Sequence, residues 1–123
     1  ELLSDLGGGK TTFVSGMAAG FGSPDPVASP SFTISYSYSR SDKKQLHHFD
    51  FYRLDEAGIV GSELSEFLND QQSVVAVEWG EVVQPILPSE RVLVHIKVLN
   101  ETTRLITLTY PSSRQYLLKG APL

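Results

Sequence analysis

The stretch Ser4-Asp5-Leu6-Gly7-Gly8-Gly9-Lys10-Thr11-Thr12 decides how the chain is read. Three successive glycines can turn backbone N–H groups inward around an anion, and the helix that follows adds the partial positive charge of its N-terminus. In that geometry Lys10 reaches the β and γ phosphates of a nucleotide. Thr11 offers its hydroxyl to a magnesium ion, a hard cation that prefers oxygen ligands. Against the pattern G-x-x-x-x-G-K-[ST] there is one departure: Ser4 stands where the first glycine falls. A serine at positive φ would cost about 1 to 2 kcal/mol, which would weaken phosphate binding. A bare Gly-Lys-Ser/Thr arises by chance about once in fifteen chains of this length, so the surroundings must carry the reading.

Downstream, Phe13, Val14, Met17, Ala18 and Phe21 fall on one face of a helix running from Lys10 to Phe21, whose end is marked by Gly20 and Gly22 and then by Pro24 and Pro26. From Phe32 to Ser39 apolar and polar residues alternate, and Leu46 to Leu54 forms a second strand, giving an antiparallel hairpin through Ser41-Asp42-Lys43-Lys44. Period two puts Phe49 and Phe51 on one face and His48, Asp50 and Tyr52 on the other. Taken alone, that polar face reads most simply as solvated.

Asp55 to Asn69 is helical in its second half, where Glu63, Leu64, Phe67 and Leu68 make one stripe, while Gly58 and Gly61 weaken the first half. Val74 to Val77 is a continuous β-branched run of the kind found in a parallel strand covered on both faces. It delivers Glu78 and Trp79 to the carboxyl end of the sheet, where ligands bind in open α/β folds. Two further strands, Arg91 to Leu99 and Arg104 to Tyr110, form a hairpin at one side. On its own Arg104 is a solvated cation, and His47 and His95 have no metal-spaced partner.

Composition bounds the rest. At 123 residues with 41% hydrophobic content the expectation is one domain over the whole chain. The absence of cysteine fits a reducing cytoplasm, and a net charge of −4 with only Arg40, Lys43 and Lys44 clustered argues against direct gripping of a nucleic acid. Only Leu2 and Leu3 precede the loop and the chain opens at Glu1, so the first strand is expected to be truncated, with an N-terminal portion outside this sequence.

The separated motifs S-D-L-G-G-G-K-T-T-F-V, V-A-S-P-S-F-T, H-H-F-D-F-Y-R-L and V-V-A-V-E-W-G-E, in this order, resemble the bacterial TsaE (YjeE) family, small ATPases of threonylcarbamoyladenosine formation in transfer RNA. The resemblance implies an α/β, P-loop NTPase-like sheet of mixed strand directions flanked by helices. It implies ATP with Mg2+ as the ligand, and the TsaD and TsaB proteins as partners that hold the transfer RNA. It also implies residue roles: Leu6, Gly7, Gly8, Gly9, Lys10, Thr11 and Thr12 as the phosphate cradle, Thr11 and Glu78 as magnesium ligands, and Asp50 as a second acid at the nucleotide. Trp79 lies beside the site, Ser29 with Pro30 and Ser31 matches a switch-like element, and Arg104 matches an arginine near the phosphates. Lys10, Asp50 and Glu78 are the expected catalytic set. Two other readings of the loop remain open: a small-molecule kinase and a nucleotide-binding module with little catalysis.

Overall fold

In the computed structural model, which describes residues 1–26 and 34–122, the phosphate-loop segment leaves a strand, β1 (Leu2–Leu3), and enters helix α1 (Lys10–Phe21). The helix starts where Gly9 takes φ 110° and stops where Gly22 takes φ 88°. There the N–H of Gly22 donates to Ala19 and that of Ser23 to Ala18, so the last carbonyls are satisfied by a left-handed cap that a side chain would strain. Both ends fall where the sequence predicts. Ser29, Pro30 and Ser31 lie outside the described residues.

The remaining elements are β2 (Ser35–Ser39), β3 (Gln45–Asp50), α2 (Gly58–Leu68), β4 (Ser73–Glu78), β5 (Leu93–Val98) and β6 (Arg104–Thr109), with 3-10 turns at Gly80–Val83 and Ser112–Leu118. The six strands form one sheet in the order β2-β3-β4-β1-β5-β6. Strands β3, β4, β1 and β5 run parallel, while β2 and β6 pair antiparallel at the two edges. This is the expected α/β sheet of mixed direction, with α1 on one face and α2 on the other.

The core divides by that face. Leu2, Leu46, Ala76, Val94 and Ile96 pack under Val14 and Ala18 of α1. Phe49, Phe51 and Val77 pack with Leu64 of α2 and with Val83 and Leu87. Burying each such Leu, Phe or Val contributes roughly 2 kcal/mol. Because helices cover both faces, β3 is buried from Leu46 to Asp50. This corrects the simplest sequence reading of its polar face: His48 and Asp50 are not solvated but lie beneath α1 and the loop, at 0% and 9% exposure.

Strand β3 is also shorter than the predicted Leu46 to Leu54. Asp50 accepts the backbone N–H of Tyr52 at 3.0 Å, and the Leu54 N–H donates to the Phe51 carbonyl at 3.0 Å, so the chain turns where alternation alone continues the strand. Helix α2 starts at Gly58 and ends at Leu68, so it takes in both Gly58 and Gly61, and only Asp55 to Ala57 of the glycine-weakened half stay outside it. His47, on the α2 face, is a core residue: it stacks on Phe67 at 3.6 Å between centroids, and its ring nitrogens meet Ser37 Oγ at 2.7 Å and Ser73 Oγ at 3.1 Å. Burial pushes its pKa down. Among the described residues no helix is long and apolar enough to cross a membrane.

Candidate functional site

The loop between β1 and α1 emerges at the carboxyl end of the parallel strands, and two neighbouring strands end opposite it. Leu2 is the register partner of Glu78, and Asp50 is too, so β1, β3 and β4 bring the loop and both acids to one edge. Between them lies a cleft of about 300 Å3. Leu6 to Thr12 form one wall, and Asp50, Glu78 and Trp79 form the other together with Tyr52. Period two along β3 already aligned Tyr52 with Asp50, although Tyr52 reaches the cleft from the turn rather than from the strand.

Each glycine of the loop has a distinct reason. Gly7 at φ 74° and Gly9 at φ 110° occupy the left-handed region, and a Cβ on either would meet nothing within 4 Å, so the backbone there is bare and open. Gly8 is constrained by space instead: a Cβ would lie 1.6 Å from Ser4 Oγ. Ser4 itself is absent from the positive-φ residues, which among the described non-glycine positions are Ile34, Lys43 and Trp79. The strain expected from serine at this position therefore does not arise. Ser4 donates from Oγ to the Asp5 carbonyl at 3.1 Å and packs against Gly8.

Lys10 is 6% exposed. Its ammonium donates to the carbonyls of Ser4 at 3.2 Å and Asp5 at 3.1 Å, and sits 4.5 Å from the centre of the Trp79 ring. These partners are neutral, so a buried cation stands at the head of a helix without a bonded carboxylate among the described residues, an arrangement that favours an anion. Trp79 stacks obliquely on Tyr52 at 4.9 Å and takes φ 54°, an uncommon conformation for a bulky residue and one that concentrates at functional sites.

The acids are buried. Burial pushes the Asp50 pKa up, the Tyr52 N–H bond opposes this, the neighbouring Glu78 charge adds to it, and His48 and Lys10 oppose it. Glu78 is 4% exposed, with Oε1 lying 3.1 Å from His48 Nε2. The distance suits a hydrogen bond but the alignment does not, and among the described residues Glu78 Oε1 has no aligned partner. A buried carboxylate oxygen in that condition fits a cation. Among the described residues no three His, Cys, Asp or Glu side chains converge as a metal cage, so a magnesium ion here would share its shell with ligand oxygens and water, as is usual for that ion.

Arg104 is brought to the loop, but to its back. Its Nε donates to the Gly8 carbonyl at 3.2 Å, while Nη1 donates to the carbonyls of Asn100 at 2.8 Å and Thr103 at 3.1 Å. It lines a second depression, of about 320 Å3, on the β5–β6 side of the loop.

A family model described as "Threonylcarbamoyl adenosine biosynthesis protein TsaE" matches residues 1–106. The chain belongs to the TsaE family. Similar proteins named tRNA threonylcarbamoyladenosine biosynthesis protein TsaE occur in Bacillus subtilis, 40% identical over 118 residues, covering 95% of this chain and 72% of that one. The Haemophilus influenzae TsaE is 39% identical over 98 residues, 77% of this chain and 60% of the relative, so the chain spans only part of the relatives it matches. The crystal structure of YdiB from B. subtilis superimposes with a TM-score of 0.69 at 35% identity, over 96% of this chain and 71% of that one. His48, which lies beside Glu78, and Ser4, whose carbonyl receives Lys10, were not assigned by the sequence reading; the signal for His48 was its period-two alignment with Asp50.

Proposed function

We propose that the chain binds and slowly hydrolyses Mg-ATP in this cleft, and that it acts in the cytoplasm as an accessory component of the machinery that makes threonylcarbamoyladenosine in transfer RNA. The observation that carries the reading is the buried Lys10 ammonium at the start of α1, bonded among the described residues only to neutral carbonyls, facing two buried acids on neighbouring strand ends. Membership of the TsaE family supports the pathway.

Magnesium, when bound, neutralises charge on the β and γ oxygens. The bare backbone of Gly7 to Gly9 and the head of α1 receive the phosphates, and Lys10 exchanges its loop carbonyls for phosphate oxygens. Glu78 and the Thr11 hydroxyl would hold the metal. Asp50, whose proton affinity burial has raised, orients the attacking water and accepts from it. Water as acceptor, with no further activating group among the described residues, fits slow turnover. The output is then a conformational change passed to TsaD and TsaB. The acidic surface fits a protein that meets transfer RNA only through them.

The test is release of inorganic phosphate from labelled Mg-ATP, with and without TsaD and TsaB. Slow release that rises on adding the partners is expected. No release in their presence overturns hydrolysis, and a rate indifferent to them overturns the accessory role. Label recovered on an organic acceptor would favour a kinase, and nucleotide binding without release a module with little catalysis.

A further inference from the structure

The ring of His48 is 0% exposed, on the α1 face of β3, at a position where an apolar side chain would pack at no polar cost. Among the described residues its Nδ1 has no hydrogen-bond partner, and its Nε2, likewise without an aligned one, lies 3.1 Å from Glu78 Oε1. A hydrogen on Nδ1 would be a buried donor with nothing to receive it, whereas a hydrogen on Nε2 lies beside a carboxylate oxygen that a small rotation would bring into line. Among the described residues Glu78 has no aligned partner for Oε1, and His48 Nε2, 3.1 Å away, is placed to set the carboxylate's rotation.

We propose that His48 is a positioning residue for Glu78: its Nε2–H holds Oε1 and so presents the other carboxylate oxygen to a divalent cation in the cleft. This rests on the Mg-ATP reading of the site. The imperfect alignment without ligand fits a contact that tightens when the carboxylate is engaged, as catalytic hydrogen bonds commonly do. A partner that orients a metal-binding carboxylate in this way is typically worth about ten- to a hundredfold in metal affinity.

The experiment titrates Mg2+ into the ADP-saturated protein and follows Trp79 fluorescence, for the wild type, His48→Leu and His48→Gln. Folding of each variant is checked by circular dichroism, and ADP affinity is measured separately in EDTA. The Mg2+ midpoint of His48→Leu should rise about tenfold or more. His48→Gln, which keeps an amide donor, should restore most of the loss, and ADP affinity in EDTA should stay at the wild-type value in both. A wild-type Mg2+ midpoint in His48→Leu overturns the proposal, and so does an equal loss of ADP affinity in EDTA, which would make His48 a packing residue. Should His48→Leu not fold, nitrogen NMR of the ligand-free wild-type imidazole decides: hydrogen on Nε2 supports the contact and hydrogen on Nδ1 overturns it. Failure of the wild type to bind ADP would instead sink the Mg-ATP reading, and the NMR result would still judge the His48–Glu78 contact.

Discussion

Asp50 and Glu78 are register partners at the carboxyl ends of adjacent parallel strands, and both are buried opposite the glycine loop. Two carboxylates held side by side away from water favour ligands that bring positive charge, and the Glu78 charge is one of the causes that raise the Asp50 pKa. The proposed function divides the acidic work between them, with Glu78 for the metal and Asp50 for the water.

A stability consequence follows from Asp50. Its pKa is higher folded than unfolded, so the proton's stabilising contribution is complete below the ordinary carboxylate pKa and is lost as pH rises through the folded value. At pH 7 the ionised group is therefore a cost. Asp50→Asn keeps an acceptor for the Tyr52 N–H and should melt higher than the wild type at pH 7, with the gap closing toward pH of about 4. Hydrolysis should be lost. Melting curves at several pH values check this; a variant less stable than wild type by the same margin at every pH would contradict it.

Glu78→Ala should remove hydrolysis while leaving most of the fold, because the sheet and both hydrophobic clusters are built by other residues. A group of this kind is worth about 3 to 4 kcal/mol in the transition state, or a loss of a few hundredfold in rate. Phosphate-release kinetics with circular dichroism on the same sample measure both halves.

At the loop, Gly8→Ala should cost phosphate binding severely, since the added methyl meets Ser4 Oγ at 1.6 Å. Ser4→Gly should leave ADP affinity near the wild-type value, because Ser4 carries no positive φ to relieve. In the double variant the methyl gains room and binding should partly return. Equilibrium ADP titration of the three proteins tests it, and tighter binding by Ser4→Gly alone would show strain that the backbone angles do not contain.

Arg104→Ala removes the bond from β6 to the Gly8 carbonyl. A net loss of about 1 kcal/mol, or fivefold in nucleotide affinity, is expected from one such hydrogen bond. A much larger loss would mean that the guanidinium leaves Gly8 and takes the phosphates directly.

Much of this was readable from residues alone, for physical reasons. The bounds of α1 are written in the glycines that enter and leave it, and β4 in a β-branched run too apolar to face water. Alternation assigned His48 and Asp50 to one face, but what covers a face depends on segments distant in the chain: α1 and its loop supply the lid. The same limit hid the His48–Glu78 contact and the Arg104–Gly8 bond, which join residues 30 and 96 positions apart. The end of β3 was missed because an aspartate serving as a turn acceptor looks identical, in a period-two pattern, to one continuing a strand.

The central claim is that Lys10 and the glycine loop receive the phosphates of Mg-ATP. Calorimetric titration of Mg-ATP into the wild type and Lys10→Ala tests it most directly. The account predicts saturable binding by the wild type and a loss of about a hundredfold or more in the folded variant, from removing a charge-assisted contact in a desolvated site. Equal affinity in the two proteins would contradict it.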